Sequence, residues 1–178
     1  MNHNNEQHSY VLETKRLRLR RFDLGDSDFI VDLLNSEGWL KYIGDRKVKT
    51  KEQAERYLEK GPLKSYEQNG YGLCMVETKQ SVPIGMCGIL RRLTLENPDI
   101  GFAFLQEFTR KGYGYEIAEA TLNYAHKDLK FPIVSAITVP HNTKSIKLLE
   151  KLGMRLMRSI LQDGEELLLF EKHIAPWH

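Results

Sequence analysis

The chain runs to 178 residues, 41% hydrophobic and 28% charged, with a net charge of +2. That length is enough for one domain with a sizeable core, and so small a charge argues against a nucleic-acid binder. No apolar run is long enough to span a membrane, and the two cysteines, Cys74 and Cys87, make no metal-binding pattern.

The opening MNHNNEQHSY is polar and lacks the hydrophobic centre of a secretory signal. Residues 1–10 are expected to be a disordered tail, residues 11–178 a single domain, and the location cytoplasmic by default. TKRLRLRRF (14–22) alternates basic and apolar residues, which predicts a strand. Leu17 and Leu19 share one face; Arg16, Arg18 and Arg20 share the other. Such a basic face is either a wet edge that discourages aggregation, the preferred reading, or a surface for RNA or an acidic partner. LGDSDFIVDLLN (24–35) predicts a short helix capped by Asp26 or Ser27. TKEQAERYLEK (50–60) predicts a second, with Thr50 and Gln53 spaced as a capping box. QNGYG ends that helical region.

YGLCMVET (71–78) and PIGMCGILRR (83–92) read as strands joined by a polar turn at KQSV. Cys74 and Cys87 face each other if these strands pair symmetrically about Gln80 and Ser81. Cytosolic disulfides are uncommon, so two small buried thiols are expected. A turn at LENP leads into the strand DIGFAFL (99–105). A helix follows over 112–129, then the β-branched strand FPIVSAITVP (131–140). HNTKSIKLLEKLG reads as a helix over 142–152 with Gly153 as its C-cap. MRLMRSIL and EELLLFEKH flank Asp163-Gly164, a strong hairpin signal. Runs of adjacent strands suggest a mixed sheet, with one parallel pair made by the crossover helix.

TRKGYGYEIAEATLNYA (109–125) places Gly112 and Gly114 between a basic doublet and a helical run. The first turn of a helix leaves backbone N–H groups without partners, and the dipole adds partial positive charge there. Glycine allows close backbone approach. Together these make an anion site, most naturally for phosphate, with Arg110 and Lys111 as additional cations. The spacing is neither a P-loop nor a leading dinucleotide-binding fingerprint. A lone pair of glycines at a helix start fits an empty turn equally well.

The wider context decides more. DIGFAFLQEFTRKGYGYEIAEATLNYA resembles motif A of the GNAT superfamily of acetyl-CoA-dependent N-acetyltransferases, and PHNTKSIKLLEKLGM is similar to that family's next motif. The family's phosphate loop reads Gln or Arg, two residues, Gly, one residue, Gly or Ala. Gly112 and Gly114 match its last two fixed positions, whereas Thr109 departs from the first, and Arg110 is the neighbour able to supply the missing charge. LETKRLRLRRF, IGMCGI and the Asn142–Ser145 spacing look closest to the branch of ribosomal-protein N-terminal acetyltransferases, the RimJ/RimL type. The resemblance covers about residue 11 to the end. It implies an α/β (α+β) fold: a mixed, mostly antiparallel central sheet of about seven strands with a splayed parallel pair, flanked by about four helices.

The resemblance also implies a cofactor and its holders. The amides of Lys111, Gly112, Tyr113, Gly114 and Tyr115, with Arg110, would hold the pyrophosphate of coenzyme A. The backbone at Phe104 and Leu105 would hydrogen-bond the pantetheine arm, and Asn142 and Ser145 would face it near the sulfur. No metal is implied. Acetyl transfer from a thioester needs a neutral amine, a donor to the developing oxyanion and a proton for the leaving thiolate. Asp99 and Glu96 are the candidates for taking the amine's proton; both are equally natural turn residues at LENPD. Ser145 is the candidate acid, because the tyrosine many members carry seven residues beyond the asparagine is Leu149 here. Asn142 also suits a plain helix cap. His141 is a base by residue type but reads as an exposed loop residue. Tyr113 and Tyr115 are packing or cofactor-facing aromatics. Trp39, Tyr42 and Tyr57 lie where the superfamily shapes its acceptor site, and fit ordinary helix packing as well.

The reading is therefore an acetyl-CoA-dependent N-acetyltransferase, monomer or homodimer, whose acceptor is a primary amine on a small molecule or a protein N-terminus. The alternative is an acyl-CoA sensor that keeps the cofactor site without catalysis.

Overall fold

A computed structural model describes residues 9–174, so the expected tail lies almost wholly outside the described residues. In chain order the elements are β1 (Tyr10–Glu13), β2 (Leu17–Arg21), α1 (Ser27–Leu34), α2 (Glu37–Tyr42), α3 (Lys51–Leu58), a π turn (Glu59–Leu63) and α4 (Lys64–Asn69). There follow β3 (Leu73–Thr78), β4 (Pro83–Leu90), β5 (Asp99–Phe104), α5 (Tyr113–Lys127), β6 (Ile133–Thr138), α6 (Thr143–Lys151), β7 (Arg155–Gln162) and β8 (Glu165–His173). Helix α3, the π turn and α4 form one continuous run, so among the described residues five helices accompany one eight-stranded sheet, ordered β1-β2-β3-β4-β5-β6-β8-β7. Each neighbouring pair is antiparallel except β5 and β6, which run parallel.

The class and order match the expectation; the count gains β1 and α2. The basic strand starts later than expected: Leu17 begins β2, and Thr14–Arg16 form the turn out of β1. Helix α2 has only six residues, too short to carry a period.

The elements follow from residues. Thr50 and Gln53 close the expected capping box on α3. Asp163 and Gly164 both take positive φ, 51° and 79°, at the β7–β8 hairpin. Cys74 pairs directly with Cys87, and both remain free, buried thiols that burial pushes up to about 12. Asp26 stands at the N-cap of α1, as expected, but its side chain makes no cap hydrogen bond there. Asp23 caps the preceding 3-10 turn, and Asp26 instead accepts two hydrogen bonds from Arg20, each 2.9 Å.

Arg20 is likewise no member of a wet face: it is 7% exposed and also donates to Glu77 at 3.0 Å. A buried cation persists only when paired in this way. Leu17 and Leu19 are buried as expected.

The sheet divides the core. On one face, Cys74, Val76, Ile89 and Ile100 pack with Ile117, Ala118 and Leu122 of α5 and Leu149 of α6. On the other, Met75 and Met86 pack with Ile30, Leu33, Ala54 and Leu58 of α1 and α3, where Ala103 and Leu105 join them. Strand β5 thus contributes to both layers.

Candidate functional site

The segment from Leu105 to Gly112 carries the chain from β5 into α5. Arg110 and Gly112 both adopt positive φ, 62° and 79°. Left-handed residues spaced this way gather successive N–H groups into an anion-binding concavity. Gly112 occupies the N-cap without a side-chain cap. Among the described residues, the amides of Tyr113, Gly114 and Tyr115 meet no acceptor. Free amides at the positive end of a fifteen-residue helix suit phosphate oxygens.

Each glycine has its own reason. Any side chain at Gly112 is strained by its φ, and a Cβ there would sit 3.3 Å from Nη2 of Arg16. A Cβ at Gly114 would press Leu148 at 3.3 Å and Phe104 at 3.5 Å. Gly114 therefore lets α5 pack against α6 and β5, in addition to baring its amide. Thr109, at the departing position, donates its hydroxyl to the Gln106 carbonyl at 2.7 Å and so braces the turn. Lys111 Nζ lies 5.6 Å from the Phe108 ring, and Arg110 is exposed.

Arg16 completes this corner while remaining exposed. Its Nη1 donates to the Lys111 carbonyl at 2.9 Å, its Nε to Glu116 at 2.7 Å, and its guanidinium lies 4.5 Å from the Tyr113 ring. Glu116 also accepts from the Thr14 hydroxyl and the Arg16 amide. Partial burial pushes the Glu116 carboxyl up, but these hydrogen bonds and the Arg16 charge outweigh it and hold it below its ordinary range. The β1–β2 turn is thus stapled to the first turn of α5. Sequence offered one signal: a glutamate in a helix's first turn and an arginine, 100 residues apart.

Beside the loop the sheet opens. Asp99 and Ser135 form the one register pair between β5 and β6, with Ser135 donating to the Pro98 carbonyl at 2.8 Å. Beyond that pair the strands separate, and Gly101–Phe104, unlike Asp99 and Ile100, are half-buried. Phe104 borders Gly114. Leu105 donates its N–H to Ile84 and accepts from Phe108, so its carbonyl retains one lone pair for another donor.

The other candidates are spread over several elements. Asn142 caps α6, accepting from the Ser145 amide at 3.2 Å, which leaves its side-chain NH2 free to donate. Ser145 is half-buried. Leu149, in the place of the usual tyrosine, is 1% exposed and belongs to the core. His141 is exposed in the turn before α6, as expected, with its ring 5.6 Å from that of Tyr42. Tyr115 turns to Glu119, 2.9 Å away. Trp39 is buried in the core beneath α1, and Tyr57 faces Arg46 and Arg92, with burial pushing its phenol up.

Asp99 sits at the closed end. It is 1% exposed, its Oδ2 accepts from Arg92 Nε at 2.9 Å, and its Oδ1 has no partner among the described residues. Burial pushes its carboxyl above the ordinary value, partly offset by Arg92. An orphaned, buried carboxylate oxygen beside a gap is a proton acceptor in waiting. Glu96 is exposed on the loop before it and lies apart from this pair.

Known proteins share this fold. Residues 16–155 match the acetyltransferase (GNAT) domain model. The chain is 29% identical to the uncharacterized protein YkkB of Bacillus subtilis, over 90% of its own length and 94% of that protein's. It superposes with a TM-score of 0.79 on RimL, the ribosomal L7/L12 alpha-N-protein acetyltransferase in complex with coenzyme A, at 15% identity over 93% and 98% of the two chains. The spermidine N-acetyltransferase of Vibrio cholerae, in complex with CoA and spermine, superposes at 0.75 with 17% identity over 90% and 96%.

Proposed function

The chain belongs to the GNAT acetyltransferase family, and from that premise we propose that it is an N-acetyltransferase of the RimJ/RimL-like branch, transferring acetyl from acetyl-CoA to a primary amine. The observation that carries the reading is the uncapped entry to α5, with its positive-φ turn, set beside the only parallel strands of the described sheet and at the point where they part. The residues fit the cofactor. The amides of Tyr113, Gly114 and Tyr115, with Arg110 and Lys111, would hold its phosphates. The β5 edge at Phe104 and Leu105, with the Asn142 side chain, would hold its amide-bearing arm. Bound acetyl-CoA supplies an acetyl thioester, and no covalent enzyme intermediate is needed.

The chain's own groups then have limited work. Asp99 takes the proton of the incoming ammonium, directly or through water, so that a neutral amine attacks. Backbone donors along the β5 edge stabilise charge on the oxygen of the tetrahedral centre. Ser145 orients the thiol end or returns a proton to it. The acceptors of two structural relatives, a ribosomal protein's alpha-amine and spermidine, support a primary amine as the substrate class. A single domain over residues 11–178 and a cytoplasmic location complete this reading; among the described residues, no helix is long and apolar enough to cross a membrane.

One observation favours a second reading. Leu149 fills the core where many members carry their acid, as in a module that binds acyl-CoA without turning it over. Calorimetric titration with acetyl-CoA, CoA and ATP tests the common ground. Both CoA species are expected to bind and ATP is not; silence from both would remove the basis for either reading. Acetylation of any amine then excludes the sensor.

A further inference from the structure

A groove of about 730 Å³ opens between the run α3–π turn–α4 and the ends of β3 and β4. Its lining is strongly cationic: Arg46, Arg56, Lys60, Lys64, Arg91 and Arg92, joined by Lys47. No aspartate or glutamate lines it, although the helical run carries four glutamates. Among the described residues, Lys47 is tied to Asp45 and Arg92 to Asp99, while Arg46, Arg56, Lys60 and Lys64 have no carboxylate partner. A chain of net charge +2 has thus concentrated unpaired positive charge in one concave place.

The arrangement is also linear. Gln53, Arg56, Lys60, Lys64 and Gln68 recur every three or four residues, one stripe of the helical run. The π turn holds Pro62, which has no N–H to give the helix, without breaking that stripe. Fifteen residues of helical rise make the stripe about 22 Å long, which about seven residues of extended chain would match. Arg92 in its lining donates to Asp99, the buried carboxylate at the closed end of the β5–β6 gap.

We infer that this groove binds the acidic N-terminal segment of a peptide acceptor and leads its α-amine to Asp99. The inference rests on the transferase reading and specifies its substrate. A cationic polyamine is repelled by such a lining. A compact anionic amine would use two or three of these cations and leave the rest of the stripe idle. Single-stranded nucleic acid needs aromatic platforms as well as charge, and the one aromatic residue lining the groove, Tyr57, is half-buried.

Fluorescence anisotropy of a short dye-labelled peptide with a free N-terminus and an acidic run tests this on the whole chain. The controls are its Asn/Gln counterpart and an oligonucleotide of matching charge, with acetyl-CoA affinity measured in parallel. The acidic peptide is expected to bind and, with acetyl-CoA added, to gain one acetyl group at its N-terminus by mass spectrometry. The Asn/Gln peptide should not bind. The double variant Arg56→Ala, Lys60→Ala, altered only at exposed positions, should weaken acidic-peptide binding at least about tenfold and leave acetyl-CoA affinity unchanged. Equal binding of the Asn/Gln peptide, tighter binding of the oligonucleotide, or an indifferent double variant would each overturn the inference while the transferase reading survives on acetyl-CoA binding. Loss of acetyl-CoA binding in the unmodified chain would instead remove the transferase reading and, with it, the acceptor role of the groove.

Discussion

In the proposed reaction, Asp99 is the residue on which proton transfer turns. Burial raises its carboxyl above the ordinary value despite Arg92, so the folded chain holds that proton more tightly than the unfolded chain does. Stability from this group is therefore fully present below the ordinary carboxylate range and lost as pH rises through the raised value. As a base it works the other way, because only the ionised form accepts a proton. The acid limb of kcat/KM is expected to sit above the ordinary aspartate range, and Asp99→Asn should remove that limb and cost about 10²–10⁴ in rate. A variant that keeps the limb and the rate, changing only the pH dependence of stability, would reduce Asp99 to a structural partner of Arg92. Nothing in LENPD distinguishes this aspartate from a turn residue. Its burial and its orphaned oxygen arise from packing between β5, β6 and Arg92, which only the fold brings together.

Between elements, the decisive link is the staple from the β1–β2 turn to α5. Glu116 accepts three hydrogen bonds from Thr14 and Arg16, and Arg16 in turn fixes the Lys111 carbonyl. A glutamate in the first turn already favours the helix dipole; here it also holds a guanidinium against the loop that bares its amides. Glu116→Gln should lower stability by roughly 1–2 kcal/mol at neutral pH. The Glu116 carboxyl is depressed, so its contribution is present above the ordinary carboxylate range and lost as pH falls through the folded value. The difference between the variant and the original chain, read by denaturant unfolding, should therefore shrink in acid. A constant difference would place the effect in lost packing. The glycine turn was legible because its signal is local: two glycines, two cations and a helical run. The staple was not, because its halves lie 100 residues apart. The buried Arg20 escapes for the same reason, with Glu77 lying 57 residues away and Asp26 turning its carboxylate to Arg20 rather than to the α1 amides.

Across the whole molecule, the order of strands and helices was readable from alternation, capping and turn chemistry, and the sheet closes as that order requires. What alternation could not report is where two strands cease to pair. β5 and β6 hold a single register pair, yet both have apolar, strand-like sequences throughout. The separation follows from position: β5 supplies residues to both core layers and then turns into the loop before α5, while β6 stays bound to β8 along its length. The backbone of β5 beyond Asp99 therefore keeps an edge without a strand partner, in the middle of the sheet. An unpaired edge there costs hydrogen bonds unless something occupies it. If the amide-bearing arm of CoA lies along it, hydrogen exchange will respond in a specific pattern. Saturation about 100-fold above Kd stabilises the entire fold by about 2.7 kcal/mol and slows every globally exchanging amide alike. Amides of residues 101–104 and 110–115 exchange by local opening, so they should slow beyond their neighbours in β3 and β4. Protection confined to 110–115 would mean that the loop holds phosphate while the gap serves something else, and the acceptor path from Arg92 through Asp99 would then need another exit.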